Sequence, residues 1–190
     1  MGSLPPAYFD ALYGDNPDPW GFASSDYEAA KYAATMAALP RARYASALEI
    51  GCSIGVLTSA LAERCDAVMA VDVADSALEQ ARVRNARHPH VRFANQQFPA
   101  AVPDGSFDLI VFSEVLYYLD RATLVDAALT TLVLAMLDAH ILLVHWLGPT
   151  PDYPLNGDQA ADDFIAALAP DAKRVLQQRQ PQYRIDLLHI

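Results

Sequence analysis

Cysteine is scarce in this chain, and so are cationic side chains. The 190 residues include two cysteines, Cys52 and Cys65, too few for a disulfide framework, and neither a C-x-x-C pair nor a His/Cys cluster offers the spacing of a zinc site. A reducing, cytoplasmic setting is expected. Lys and Arg number 13 against 23 Asp and Glu, a formal charge of −10. The chain therefore lacks the bases that neutralise nucleic-acid phosphates or an anionic membrane surface. Long apolar runs are missing too: the richest, Ala127 to Leu137, is followed by Asp138 and His140, well short of the ~20 residues a bilayer requires. Met1 to Pro6 has neither the positive patch nor the apolar centre of a signal peptide, and Pro6 stands where a myristoylation signal needs Ser or Thr. Repeats and low-complexity tracts are absent. The expected partner is a small molecule, with no nucleic acid and no membrane.

What is present suits a single well-filled domain over residues 1–190, a monomer or homodimer: 53% of the residues are apolar and 19% charged. After residue 45, short β-rich runs alternate with longer helical ones, the pattern of a parallel sheet covered on both faces. Strands are expected at Ala47–Ile50, Ala67–Val71, Val91–Ala94, Phe107–Phe112 and Ile141–His145, with crossover helices at Val56–Cys65, Asp75–Arg87 and Thr123–Leu137. Arg174–Gln178 and Tyr183–Leu188, with Pro181 between them, read as an antiparallel edge hairpin. A helix over Ser25–Leu39, capped by Ser24 or Ser25 and stopped by Pro40, follows a segment rich in Tyr, Trp and Pro. The expected fold is α/β and Rossmann-like: a seven-stranded, mostly parallel sheet with an antiparallel C-terminal hairpin and helices on both faces. Residues 1–40 would form a helical lid, 46–146 the binding core, and 147–190 a substrate loop, a helix and the hairpin.

The most informative stretch is Leu48-Glu49-Ile50-Gly51-Cys52-Ser53-Ile54-Gly55, a strand entering a glycine turn that opens a helix. Such a turn lets backbone approach a ligand closely and presents helix-end N–H groups to a negative group. A dinucleotide fingerprint starting at Gly51 would need Gly where Ser53 and Val56 stand. A nucleophile elbow matches Gly51-Cys52-Ser53-Ile54-Gly55 in letters, with His145 as its base. It lacks a preceding strand and oxyanion loop, however, and leaves Glu49 and Asp72 without a role. The third reading is E-x-G-x-x-x-G, carried by Glu49, Gly51 and Gly55, the turn of S-adenosylmethionine-dependent methyltransferases.

Neighbouring segments support this third reading. Asp72 ends the second strand, where a carboxylate can accept two hydrogen bonds from ribose hydroxyls. Asn95-Gln96-Gln97-Phe98 follows the third strand with amides for an adenine edge and a ring for its face. Ser113-Glu114 and Val115-Leu116-Tyr117-Tyr118-Leu119 follow the fourth. Ligands of open α/β sheets bind outside the carboxyl ends of the strands, where all of these groups fall.

The chain resembles the NodS-like branch of class I S-adenosylmethionine-dependent methyltransferases, whose founding members N-methylate a glucosamine of chitooligosaccharide signals. The likeness lies in Asp18-Pro19-Trp20, Tyr27-Glu28 with Lys31, Glu49-Ile50-Gly51-Cys52 through Gly55, Asp72, Ser113-Glu114-Val115 with Tyr117-Tyr118-Leu119, and His145-Trp146. It implies S-adenosylmethionine as donor, S-adenosylhomocysteine as product, and no metal. The implied cofactor contacts are Trp20, Lys31, Glu49, Gly51, Cys52, Ser53, Gly55, Asp72, Val73, Gln96, Gln97, Phe98 and Ser113, with Lys31 facing the donor's carboxylate. Trp20, Tyr117 and Tyr118 offer aromatic faces to a sulfonium cation. An amine acceptor must lose a proton before it attacks, and Glu114 and His145 are the expected bases, with Tyr117 beside them. Methyl transfer to an amine of an amino sugar or similar polar metabolite is expected, with O-transfer or a non-catalytic binding module as alternatives. Two departures from the branch stand out: Gln97 replaces the usual acid, and Asp138-Ala139-His140 replaces Pro-Gly-Gly before the fifth strand.

Overall fold

The computed structural model describes residues 1–169 and 171–190. Among these, seven strands form one sheet: β1 (Ala47–Ile50), β2 (Val68–Asp72), β3 (Val91–Asn95), β4 (Phe107–Ser113), β5 (Ala135–Trp146), β6 (Lys173–Arg179) and β7 (Tyr183–His189). Their order is β3-β2-β1-β4-β5-β7-β6. Strands β1 to β5 pair in parallel, whereas β7 pairs antiparallel with both β5 and β6, matching the architecture expected from the alternating pattern. The helices are α1 (Pro6–Asp15), α2 (Asp26–Ala37), α3 (Val56–Ala62), α4 (Asp75–Arg84), α5 (Arg121–Leu134) and α6 (Gly157–Leu168), with a 3₁₀ turn at Leu116–Tyr118.

The inner strands are apolar on both faces because both are covered. Ile110 and Phe112 of β4, with Ile141 and Leu143 of β5, pack with Leu124, Ala127 and Ala128 of α5 and Phe164 of α6. The alternate residues Leu109, Val111, Leu142 and Val144 pack with Leu57 and Leu61 of α3 and Leu78 of α4. Helix starts are set locally. The Ser25 side chain accepts the Glu28 N–H at the head of α2, and Asn156 and Gln159 form a reciprocal capping box on α6. Asp120 caps α5 and also accepts the backbone N–H and hydroxyl of Ser3, fastening the N-terminal segment.

Helices α3 and α4 end three residues earlier than expected, at Ala62 and Arg84, and two further features stand out. Helix α5 stops at Leu134, not Leu137, and β5 begins at once. Ala135 pairs with Phe107, and the next pairing is His140 with Leu109, so residues 136–139 form a bulge. Leu137 is 92% exposed there, and Asp138 adopts φ 63°, a left-handed conformation that favours glycine. The second feature is a half-buried ion cluster that joins the edge hairpin to α6. Arg184 Nε and Nη2 donate to the two oxygens of Asp186 at 2.7 and 3.1 Å, and Nη1 donates to Asp158 at 2.9 Å. Asp186 is fully buried, so this fork is what makes its charge tolerable.

Candidate active site

The chain leaves β1 toward β2 and returns through β4 on the other side, so the strand order reverses between β1 and β4. This reversal opens a crevice at the carboxyl ends of the strands. The turn after β1 is shaped by two glycines with φ +76°, Gly51 and Gly55. A Cβ on Gly51 would lie 3.0 Å from Val115 Cγ2, and one on Gly55 would lie 2.7 Å from Asn85 Nδ2 and 2.8 Å from Ala81 Cβ. The end of α4 holds this turn in place. Asn85 donates to the carbonyls of Gly55 and Ala81, both at 3.0 Å, and accepts the Ser59 hydroxyl at 2.8 Å; Arg84 donates to the carbonyl of Ile54 at 2.9 Å.

Ser53 and Glu114 also take positive φ, 51° and 57°, a strained state for residues with side chains that the surroundings must enforce. At Ser53 the reward is visible: its N–H donates to Asp72 Oδ2 at 2.8 Å while the Ala74 N–H donates to Oδ1 at 3.0 Å. These two bonds fix the Asp72 carboxylate toward the first cavity and leave each oxygen a lone pair for a ligand. Burial pushes the Asp72 pKa up, against the pull of the same N–H donors. The Tyr13 hydroxyl of α1 hydrogen-bonds Ser53 Oγ.

The first cavity is narrow, with a volume of about 100 Å³. Its floor is made by Gly51, Ser53, Asp72, Val73 and Ser113 at the strand ends, with Gln96, Gln97 and Phe98 beyond β3. Its roof is Phe9, Tyr13, Trp20 and Phe22 from the N-terminal segment, where Trp20 and Phe22 stack at 5.3 Å. Gln96 Oε1 is buried without a hydrogen-bond partner, an unspent acceptor on the wall of a cavity.

A second, wider cavity of about 550 Å³ adjoins the first, sharing Trp20, Phe22, Glu114 and Tyr118 with it. Its remaining walls include Tyr8, Tyr27, Glu28, Lys31, Tyr117, Trp146, Asp152 and Tyr153. Three titratable side chains run along one wall. Lys31 Nζ lies 2.6 Å from Glu114 Oε1 and 3.0 Å from each Glu28 oxygen, and both Lys31 and Glu28 are buried. Burial pulls the Lys31 pKa down, but the Glu114 and Glu28 carboxylates more than offset it and the ammonium ends above its ordinary value. Glu114 Oε2 accepts the Tyr117 hydroxyl at 3.0 Å and the Trp146 N–H at 2.7 Å. Glu114 is thus held by donors from α2, the 3₁₀ turn and β5 at the seam of the two cavities.

Of the expected cofactor contacts, Trp20, Gly51, Ser53, Asp72, Val73, Gln96, Gln97, Phe98 and Ser113 line the first cavity together. Glu49 and Cys52 line a much smaller neighbouring space of about 20 Å³, and Gly55 shapes the turn. Lys31 borders the second cavity, engaged by two carboxylates. Glu49 is fully enclosed, accepts the Thr58 hydroxyl at 2.6 Å and, through burial, has its pKa pushed up to about 8.

His145 is placed differently from the expectation of a base facing the crevice. It is fully buried, borders neither cavity, packs 5.7 Å from the Tyr117 ring, and its Nε2 accepts the Leu116 N–H at 3.4 Å. Burial, then the positive charges of Arg184 and Lys31, push its pKa down to about 3, and its Nδ1 is buried without a hydrogen-bond partner. Strand parity carries the signal: His145 shares the face of Ile141 and Leu143, which packs under α5 and α6. Asn85, 30 residues from its partner Gly55, escaped sequence reasoning because nothing local marks it. Among the described residues, no group of three or more His, Cys, Asp or Glu is arranged to hold a metal, and no helix is long and apolar enough to cross a membrane.

Comparison with known proteins agrees with this geometry. A crystal structure from Pseudomonas syringae, described as a candidate methyltransferase, superposes with a TM-score of 0.76 at 36% identity over 86% of this chain and 99% of that one. The N-methyltransferase NodS from Bradyrhizobium japonicum WM9, solved with S-adenosyl-L-homocysteine, shares the fold with a TM-score of 0.78 at 23% identity over 92% of each chain. Nodulation protein S of Bradyrhizobium diazoefficiens is 37% identical over 117 residues, 61% of this chain and 56% of that protein. This chain spans about half the length of the curated relatives it matches. The family model described as Nodulation protein S (NodS) matches residues 13–146, well over half the sequence, and on that match, with the class I methyltransferase fold beneath it, the chain belongs to the NodS family.

Proposed function

We propose that the chain is an S-adenosylmethionine-dependent methyltransferase acting on an amine of a small polar metabolite such as an amino sugar. The observation that carries this reading is the pair of cavities meeting at Glu114: one bears a ribose-type carboxylate and an unspent amide, the other is walled by aromatic rings and carboxylates. The residues fit the donor. Asp72 has a lone pair on each oxygen for two vicinal hydroxyls, the orphaned Gln96 Oε1 suits an exocyclic amino group, and Phe98 offers a flanking ring. Gln97, which replaces the branch's usual acid, lies beside Gln96 and adds neutral amide capacity to the same wall.

When bound, the donor supplies an electrophilic methyl on a sulfonium. The protein's task is alignment and charge. Residues 1–40 serve as the lid, with Phe9, Tyr13, Trp20 and Phe22 keeping water from the first cavity. Glu114, with its negative charge at the seam, stabilises cations on either side, and the Glu114–Tyr117 pair takes up the proton the amine sheds. The Pro149–Tyr153 segment forms the acceptor's mouth.

The test is calorimetric titration with S-adenosylmethionine and S-adenosylhomocysteine, followed by S-adenosylhomocysteine release in the presence of amines and matched alcohols. Micromolar binding and amine-dependent release are expected. Millimolar or absent binding of both nucleosides overturns the proposal; tight binding without turnover would favour a binding module, and release with alcohols alone would favour O-transfer.

A further inference from the structure

Helix α5 is apolar on both of its sides. Leu124, Ala127, Ala128 and Leu134 face the core. The opposite side carries Val125, Leu129 and Val133 at i, i+4 spacing, and Met136 and Leu137 follow just beyond the helix end. All five are exposed, Leu129 by 51% and Val133 by 80%. A surface helix ordinarily turns charged residues outward, whereas a helix that is apolar all round is one that something covers.

Charge, shape and area all fit a second copy of this chain. The protein has a formal charge of −10, so copies repel one another over most of their surface. From Ala122 to Leu137 the sequence holds one charged residue, Asp126, and Arg121 at the head of the helix is engaged with Asp163 at 3.2 Å. Here an acidic twin meets little repulsion, and a strongly charged partner of another kind finds no handle. The shape is self-complementary. Val125, Leu129 and Val133 form an i±4 ridge beside the lower row of Ala122, Asp126 and Thr130, and two such ridges settle into each other's grooves when the helices cross at about −50°. The five side chains expose on the order of 500 Å² of mostly apolar surface, the larger part of the ~800 Å² that each partner contributes to a stable interface. We propose that α5 is a dimerisation face, packed against α5 of a second copy about a two-fold axis at Leu129. Each Leu129 then meets its own counterpart, and each Val125 meets the second copy's Val133. None of these residues lines either cavity, so the dimer leaves both sets of cavity walls untouched.

The test is sedimentation velocity of the full chain over a range of concentrations. Wild type should pass from monomer to dimer at about 1–10 μM. Leu129→Lys and Leu129→Glu should each raise that midpoint about a hundredfold or more, because each puts two like charges on the axis, while circular dichroism shows unchanged secondary structure. An equimolar mixture of the two variants should dimerise again, Lys opposite Glu, which requires that residue 129 face its own counterpart. Wild type still monomeric at about 100 μM overturns the proposal. So does either variant dimerising as wild type does, or a mixture that stays monomeric. If a Leu129 variant does not fold, Val133→Glu decides, and an unchanged midpoint there overturns the interface.

Discussion

Replacing Glu49 by Gln should stabilise the protein at alkaline pH and leave it nearly unchanged in mild acid. Glu49 is buried at 2% exposure in the middle of the sheet, with the Thr58 hydroxyl as its side-chain partner and no cation in contact. Desolvation raises its pKa from 4.5 to about 8, with the Thr58 bond opposing and the Asp72 charge reinforcing the shift. Folding therefore takes up a proton at Glu49 at any pH between those two values. The folded state binds more protons there than the unfolded one, so Glu49 makes stability fall as pH rises from 4.5 toward 8. At ~1.36 kcal/mol per pH unit the ceiling is about 5 kcal/mol, and relaxation around the ionised group brings the expected loss to about 2–4 kcal/mol. Gln keeps the shape and the bond to Thr58 but carries no proton to lose. Urea unfolding of both proteins at several pH values between about 5 and 8.5 measures the difference directly. The variant should match wild type within about 1 kcal/mol at the acid end and exceed it by about 2–4 kcal/mol at the alkaline end. Parallel curves for the two proteins across the range would refute the claim that a buried, protonated carboxyl sits beneath the glycine turn.

Other outcomes follow from the same structure. Gly55→Ala must hold φ +76° with a side chain and push its Cβ against Asn85 and Ala81. A loss of about 2–4 kcal/mol is expected in urea unfolding, and a loss under about 0.5 kcal/mol would show that the turn can shift. His145, held neutral with its pKa at about 3, makes wild type lose stability as pH falls from about 6.5 toward 3. His145→Leu should remove that acid limb while S-adenosylhomocysteine affinity stays within about twofold of wild type, the two readouts being acid unfolding and calorimetry.

The parts of the site carried by strand ends were legible in the sequence. Gly51, Asp72, Gln96 and Ser113 each follow a short β-rich run, and a parallel sheet brings such ends to one edge whatever the details of packing. The row of charges was not legible as a unit. The i, i+3 spacing of Glu28 and Lys31 reads as an ordinary helical pair, whereas the third member, Glu114, is 83 residues away and is presented by a left-handed backbone. The end of α5 was missed for a different reason. Ala127 to Leu137 contains no Gly, Pro or cap to stop a helix, and the stop comes from pairing of Ala135 with Phe107, a long-range demand that outweighs helix propensity. At His145 the sequence leaves two orientations open, and strand parity puts the side chain on the face of Ile141 and Leu143, away from both cavities.

The most direct measurement is a crystal structure of the chain with S-adenosylhomocysteine. The ribose hydroxyls should lie within hydrogen-bond distance of both Asp72 oxygens, with the adenine between Gln96 and Phe98 and the sulfur pointed toward Glu114. A nucleoside bound elsewhere, or Asp72 left without contact to the sugar, would contradict the account.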